Sequence, residues 1–167
     1  DDIVNRLVAI TADIPIFSLG TGQLHGEEKA KWTAALATLR SQSIEICDAS
    51  EPSLDVIRVA IKKARPDVII FDHIQHASNS SDNRHTELSR FIKGLKNIAR
   101  DFHLAVVVAS QIKRLGEERL PNKHDLKECG DLENEASVVL MLHLDKTHPK
   151  DTPVVPVIGI MDKNRDG

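Results

Sequence analysis

The sequence predicts an α/β domain in which helices flank a mainly parallel sheet. Two short runs rich in β-branched residues, 67–72 and 104–109, have the character of buried strands. Stretches with apolar residues at helical spacing alternate with these runs, and this alternation is typical of a parallel sheet. The chain has 167 residues, 41% of them hydrophobic, which is enough to form the core of a single domain.

The first part of the chain is predicted to hold two helices, a loop and a short strand. Residues 3–10 carry apolar side chains at helical spacing, and this helix should end before Pro15, because the residue before a proline avoids the helical conformation. Residues 18–22 are expected to form a loop. Residues 27–39 have an apolar stripe that indicates a helix, and residues 44–47 alternate in polarity like a strand.

The remaining elements complete the alternation. Ser53 is the expected N-cap of a helix that runs to Lys63. A long helix with one apolar face is predicted over residues 84–102. Residues 138–144 and 154–162 are predicted as two further strands, the last of them at a sheet edge because prolines lie close to it.

Composition and charge narrow the class of protein. The longest apolar runs are far shorter than the roughly 20 residues of a membrane span, and the first residues lack the basic and apolar regions of a signal peptide. Two cysteines, 82 positions apart, form neither a disulfide framework nor a metal-binding pair, which favours a reducing, intracellular compartment. The net charge is −3, but residues 84–127 have a surplus of five positive charges. This basic stretch fits either a surface that faces a polyanion or an ordinary solvated helix face.

Two polar residues stand where the predicted parallel strands end. Asp72 follows the run 67–71, and Gln111 follows the run 104–109. Ligands of open parallel sheets bind beyond the carboxyl ends of the strands. An apolar strand that ends in Asp is also how phosphate-transferring enzymes hold Mg²⁺ next to a nucleotide. Asp72 could equally begin a turn or cap the next helix.

Other polar groups give weaker indications. The segment 72–76 has one acid and two histidines, but side chains that leave a strand end diverge, so a zinc site is disfavoured. Cys129 has no clear His and acid partner in the sequence, which disfavours a nucleophile. Residues 163–167 follow the last predicted strand and form either a solvated turn or a cation site for a phosphate. No phosphate loop of the form GxxxxGKS or GxxxxGKT occurs in the chain.

Four motifs follow one another along the chain: DVIIFDHIQ (67–75), ASQIKR (109–114), DLKECGDLENEA (125–136) and KNRDG (163–167). Together and in this order they resemble the carboxyl-terminal ATPase domain of DnaB-type replicative DNA helicases. The amino-terminal segments 3–12 and 21–24 also resemble the stretch just beyond the catalytic-glutamate motif of this family. The resemblance therefore covers residues 1–167. It implies a single, partial RecA-like motor domain with three layers, which begins after the Walker A loop and lacks the phosphate-loop strand and helix.

The resemblance implies roles on the nucleotide side of the motor. Asp72 matches the Walker B acid that orders Mg²⁺ and its waters, and Gln111 matches the glutamine that senses the γ-phosphate. Lys163 and Arg165 match the finger that reaches the nucleotide of the neighbouring subunit in a homohexamer, where a guanidinium stabilises charge on the transferred phosphoryl group. ATP and Mg²⁺ are thus the expected cofactors of the complete motor domain. Without a phosphate loop, this chain alone is expected to be inactive.

The resemblance also implies a DNA-binding loop. Lys127, Glu128 and Gly130 match the loop that holds the phosphates of single-stranded DNA, and Arg114 lies in the preceding motif. Lys127 stands where Arg is usual in the family, and a lysine binds phosphate as a point charge without the bidentate fork. The implied protein is a hexameric replicative helicase that moves on single-stranded DNA in the cytoplasm of a bacterium or a phage-infected cell. Primase and a helicase loader are further candidate partners, and no membrane association is implied.

Two other classes of protein are alternatives. A degenerate RecA-like module that binds DNA or a helicase without hydrolysing ATP would also explain the lack of a phosphate loop. A recombinase-like or circadian-type RecA relative is disfavoured by the loop 125–136. A phosphate-loop motif encoded upstream of Asp1 would favour the helicase.

Overall fold

The computed structural model of the chain describes residues 2–22, 24–48, 52–77, 83–113, 119–126, 130–145 and 155–165. The chain divides into two compact units, residues 1–48 and 49–167. Among the described residues, each unit has buried apolar clusters of its own: one cluster in the first unit and two in the second.

The first unit is helical. Its helices are α1 (Asp2–Ala12), α2 (Ile16–Thr21) and α3 (Glu27–Ser41). Helices α1 and α3 pack together around a core whose buried members are Val8, Ala12, Ile14 and Ala35. The predictions of α1, of its end before Pro15 and of α3 are confirmed.

Two expectations for this unit are wrong. Residues 16–21 form helix α2 rather than a loop, because Pro15 can precede a first helical turn without losing a needed N–H donor, and Gly22 ends the helix. Gly22 has a φ of +68°, and its N–H donates to the carbonyl of Leu19, a common way to end a helix. Residues 44–47 form no strand, since the described part of this unit contains no other strand to pair with them.

The second unit contains the predicted parallel strands. Its first elements are α4 (Leu54–Ala64), β1 (Val68–Phe71), α5 (Arg84–Phe102) and β2 (Ala105–Val108). Strands β1 and β2 pair in parallel, from Val68 opposite Ala105 to Phe71 opposite Val108. A helix precedes each strand, so the predicted α/β class and its parallel pairing are confirmed.

Local chemistry explains where these elements begin and end. The hydroxyl of Ser53 accepts a hydrogen bond from the N–H of Val56 at 3.2 Å, which confirms the predicted N-cap of α4. Helices α4 and α5 both end in a residue with left-handed conformation, Arg65 (φ +50°) and His103 (φ +53°). The chain therefore leaves each helix by the same kind of turn before it enters a parallel strand.

Helix α5 covers one face of the parallel pair. Its apolar side packs on the sheet, and the rings of Phe71 and Phe91 lie 5.2 Å apart, centroid to centroid. The other face is open: Val68 and Ile70 are 49% and 75% exposed. Among the described residues, no helix is both long and apolar enough to cross a membrane.

The last elements are α6 (Gly130–Glu135), β3 (Val138–Leu144) and β4 (Val157–Asn164). Strands β3 and β4 pair antiparallel, and within the described residues they form a sheet separate from the parallel pair. The expectation that Lys163 follows the last strand is wrong. Strand β4 continues to Asn164, because Lys163 and Asn164 still find partners opposite Val139 and Val138 of β3.

Candidate functional site

The ends of the parallel strands bring the first group of site residues together. Because Phe71 pairs with Val108, the chain leaves both strands at the same edge of the sheet. The N–H of Ile74 donates to the carbonyl of Ala109 at 3.0 Å, so the two exits stay side by side beyond the strands. Asp72 and Gln111 therefore lie at one edge, where ligands of parallel sheets bind.

Gln75 ties the two exits together. Its side-chain amide donates to the hydroxyl of Ser110 at 3.1 Å and to the carbonyl of Gln111 at 3.4 Å. Its side-chain oxygen accepts from the N–H of Gln111 at 3.3 Å, and its carbonyl accepts from Arg84 at 3.2 Å. Gln75 is buried, so these bonds satisfy a polar group that would otherwise be costly to bury. They fix the position of the Gln111 backbone.

The side chains at this edge differ in their contacts. The amide nitrogen of Gln111 lies 3.1 Å from Nε2 of His73, whose ring packs edge-on against that of His76. The peptide bond between Asp72 and His73 is cis. The Asp72 side chain is exposed, and within the described residues its carboxylate accepts no hydrogen bond. Among these residues it caps no helix.

A short backbone connection leads away from Gln111. The next residue, Ile112, forms a β-bridge with Leu126, and the N–H of Lys113 donates to the carbonyl of Asp125 at 2.8 Å. Leu126 directly precedes residues 127–129. Of the predicted DNA-binding residues, Lys127, Glu128 and Arg114 lie outside the described residues, and Gly130 is the first residue of α6.

The buried carboxylate of Asp125 holds the stretch 119–125, which leads to Leu126. Arg119 donates to both oxygens of Asp125, at 2.7 and 2.5 Å, and the N–H of Asn122 donates to the same carboxylate at 2.9 Å. These hydrogen bonds, Arg119 first, lower the pKa of Asp125 to about 2. The Asn122 side chain in turn accepts from the N–H of His124 at 3.0 Å, and reciprocal hydrogen bonds between Asn122 and Asp125 form a capping box on the 3₁₀ turn Lys123–Asp125.

The cations of the predicted finger lie against the end of α6. Lys163 donates to the carbonyls of Glu133 and Asn134, the latter at 3.3 Å, and Arg165 donates to the carbonyl of Asn134 at 2.5 Å. Carbonyls in the last turn of a helix lack helical partners and attract cations. Desolvation lowers the pKa of Lys163, and the neighbouring charges of Arg165 and Lys123 lower it further. Lys163 and Arg165 thus contact the last turn of the short helix that begins at Gly130.

Other side chains fix α6 on its neighbours. Lys96 of α5 pairs with Glu135 at 2.6 Å and lowers the pKa of that carboxyl, and Ser89 donates to Asp131. Glu133 pairs with His124 at 3.0 Å and with Lys123 at 3.7 Å. Helix α6 is therefore held from α5, from the 3₁₀ turn and from the end of β4.

Several residues that hold this region together were not among the site residues predicted from the sequence. Gln75 stands in the first quoted motif, but its two-sided contact depends on the pairing of β1 with β2. The spacing of Asn122 and Asp125 is a capping-box pattern that can be read from the sequence. The contact of His124 with Glu133 has no such signal, because it depends on how α6 packs.

Solved structures place this arrangement in a class. One structure, described as an ATPase domain, matches with a TM-score of 0.85 and 25% identity, over 98% of this chain and 63% of that chain. A DnaB-like replicative helicase, described with its interactions with primase, matches the fold with a TM-score of 0.85 over the whole chain and 44% of its own length, at 24% identity. The fold is that of RecA-like ATPase domains.

The sequence then identifies the family. The family described as "DnaB-like helicase C terminal domain" matches residues 1–167, and the chain belongs to it. The replicative DNA helicases DnaC of Bacillus subtilis and DnaB of Geobacillus stearothermophilus are each 30% identical to it, over 100% and 99% of the chain. The chain spans 39% of the length of each of these relatives.

Proposed function

We propose that this chain forms part of the motor of an ATP-dependent, hexameric replicative helicase that moves on single-stranded DNA. The observation that carries the proposal is the shared strand edge: Asp72 directly follows β1, Gln111 lies three residues beyond β2 at the same edge, and Gln75 bonds the chain that leaves β1 to the chain that leaves β2. Family membership and the helicase relatives support it.

The strand edge suits a magnesium nucleotide. Mg²⁺ prefers oxygen ligands and keeps several waters, so one or two carboxylates plus nucleotide phosphates hold it. Asp72 offers an exposed carboxylate whose oxygens accept no hydrogen bond among the described residues. We assign Asp72 to hold Mg²⁺ through water, and the bound ion would neutralise phosphate charge during hydrolysis. The phosphate loop that completes such a site has no counterpart in this chain, so the chain alone should not hydrolyse ATP.

Gln111 is suited to sense a nucleotide and to transmit its state. Its side chain is exposed at the edge, while its backbone is fixed by Gln75. One residue later, the bridge between Ile112 and Leu126 leads to the proposed DNA loop. A displacement of Gln111 would therefore reach residue 127 through a single β-bridge.

The DNA contacts are assigned to Lys127, Glu128, Gly130 and Arg114. Backbone amides and basic side chains of such a loop bind phosphates and not bases, which suits a motor that must act on any sequence. Gly130 begins α6, whose far end is contacted by Lys163 and Arg165.

Arg165 is assigned as the finger that contacts the nucleotide of the neighbouring subunit. Its side chain is exposed, whereas Lys163 is half-buried against α6 and supports the strand end. Primase and a helicase loader are proposed partners of the full-length protein.

Mixed subunits of the full-length protein test these assignments. Arg165→Ala should lower DNA-stimulated ATP hydrolysis at least about 100-fold while nucleotide binding is retained, because a finger acts on the transition state. Asp72→Asn should be similarly inactive. A mixture of the two variants should recover part of the activity, because some interfaces then combine an intact Asp72 with an intact Arg165 from the neighbour.

A matched control separates a catalytic effect from a loss of charge. Arg100→Ala removes an exposed arginine of α5 that pairs only with its neighbour Asp101 and with Asn97 among the described residues, and it should leave turnover unchanged. Unchanged turnover in Arg165→Ala, or no recovery in the mixture, would contradict the finger. Binding of single-stranded DNA by a full-length protein without any ATPase activity would favour the alternative, a degenerate binding module.

A further inference from the structure

A cavity of about 330 Å³ opens between the start of α5, the 3₁₀ turn Lys123–Asp125 and the start of α6. The titratable side chains that line it are those of His85, Lys113, Lys123, His124 and Glu133. None of these residues belongs to the strand edge or to the finger.

The lining has a surplus of positive charge. Among the described residues that line it, the one carboxylate is that of Glu133, which is already paired with His124 at 3.0 Å and with Lys123 at 3.7 Å. Lys113 is exposed and forms no ion pair within the described residues, and the carboxylate of nearby Asp125 is taken up by Arg119. Among the described residues of the lining, two ammonium groups thus accompany one carboxylate, so the cavity favours an anion.

Positively charged side chains also lie close together just outside the residues that line the cavity. The charges of Arg165 and Lys123 both lower the pKa of Lys163, which contacts the carbonyl of Glu133. A bound anion would relieve this repulsion. Glu133 keeps Lys123 and His124 in place, and its own charge is balanced by them.

The cavity also adjoins the proposed DNA loop. Leu126 and Gly130 line its wall and flank residues 127–129 on either side. The chain between these two residues spans at most about 14 Å. A strand of DNA held at the loop would therefore pass close to the cavity.

We propose that this cavity binds a backbone phosphate of single-stranded DNA, held by Lys113, Lys123 and His85, beside the phosphates held at residues 127–130. The inference rests on the proposed function and extends the DNA-binding surface from the loop to the start of α5. Single-stranded DNA is the occupant because the cavity opens next to the loop that takes the same polyanion, and phosphate contacts dominate such binding.

Salt dependence of DNA binding tests the site in the full-length protein. Affinity for a fluorescein-labelled oligothymidylate of about 20 nucleotides is measured by anisotropy between about 50 and 200 mM salt, the range over which phosphate contacts change affinity most visibly. Each phosphate contact to a single strand contributes about 0.7 to the slope of log K against log salt. Lys113→Gln and Lys123→Gln should each make the slope shallower by about 0.7, and far-UV circular dichroism confirms that both variants are folded.

Two comparisons make the result decisive. Lys62→Gln, at an exposed position of α4, is the matched control and should leave the slope unchanged. If Lys127→Gln lowers the slope while the two cavity variants do not, the inference is overturned and the proposed function stands. If the wild-type protein does not bind the oligonucleotide, both are overturned.

Inorganic phosphate is the second probe. It distinguishes a DNA phosphate from a free one, because it can be titrated while the amide NMR signals of Lys113 and Gly130 are followed. Shifts of these signals, with both cavity variants still binding DNA like the wild type, would mean that the cavity takes free phosphate. That result would also overturn the inference.

Discussion

Helices α4 and α5 approach each other closely at Gly94, and this contact provides a test of how the second unit is packed. Gly94 is buried in the middle of α5. A Cβ atom at this position would lie 2.8 Å from Cδ2 and 3.1 Å from Cγ of Leu54, the first residue of α4. Gly94→Ala therefore has two opposing effects: alanine favours the helix, but its Cβ atom would clash with Leu54.

The two effects have different magnitudes. Replacing a mid-helix glycine by alanine contributes about 1 kcal/mol through helix propensity. Overpacking of a filled core costs about 1–3 kcal/mol, and the short distances to Cδ2 and Cγ mean that the Leu54 side chain must shift to make room. With a cost of about 2 kcal/mol, we expect Gly94→Ala to lower the free energy of unfolding by about 1 kcal/mol.

A double-mutant cycle isolates the steric term. In a Leu54→Ala background the conflict is gone, so Gly94→Ala should raise the free energy of unfolding by about 1 kcal/mol. The sign of the same substitution thus reverses between the two backgrounds. Urea unfolding followed by far-UV circular dichroism measures all four proteins at one temperature, with the m-values compared. Stabilisation by Gly94→Ala in the wild-type background, or the same sign in both, would refute this account of the α4–α5 contact.

Three further predictions concern single side chains. Because the pKa of Asp125 lies at about 2, below its usual 3.8, the stability due to this carboxylate is complete above about pH 4 and is lost as the pH falls towards 2. Arg119→Leu should raise that pKa in an NMR titration, and an unchanged value would contradict the assigned cause. His103→Gly should raise the free energy of unfolding by about 0.5–1 kcal/mol, because glycine adopts a φ of +53° without strain; thermal unfolding at a lower temperature would show the opposite. Leu88→Ala, at a fully buried position, should cost about 2–5 kcal/mol in urea unfolding, whereas Val59→Ala, 67% exposed, should change stability by less than about 0.5 kcal/mol.

The sequence predicted the elements whose signal is local. Apolar periodicity located α5, and a single hydroxyl at Ser53 located the start of α4, because both signals act within one or two helical turns. The short strand predicted at 44–47 failed for the opposite reason. A strand requires a partner, and alternating polarity at Ile44 and Ile46 does not show whether one exists.

One general rule accounts for the part of the site that could be predicted from the sequence. Parallel strands end at the same edge of a sheet, so the neighbourhood of Asp72 and Gln111 followed once the two strands were recognised. The fixing of Gln111 by Gln75 did not follow, because it depends on the register of β1 against β2. The contact of Arg165 with α6 was equally out of reach, since it depends on how far β4 continues along β3.

The open face of the parallel pair is an apolar surface through which copies of this chain can associate. Val68, Ile70 and Val107 present a patch of side chains that are each about half exposed or more. Association between copies through such a patch strengthens on warming and in sulfate, whereas association through charges weakens as salt is added. Cold buffers of low sulfate content therefore oppose self-association through this face, and the net charge of −3 gives little repulsion to help them.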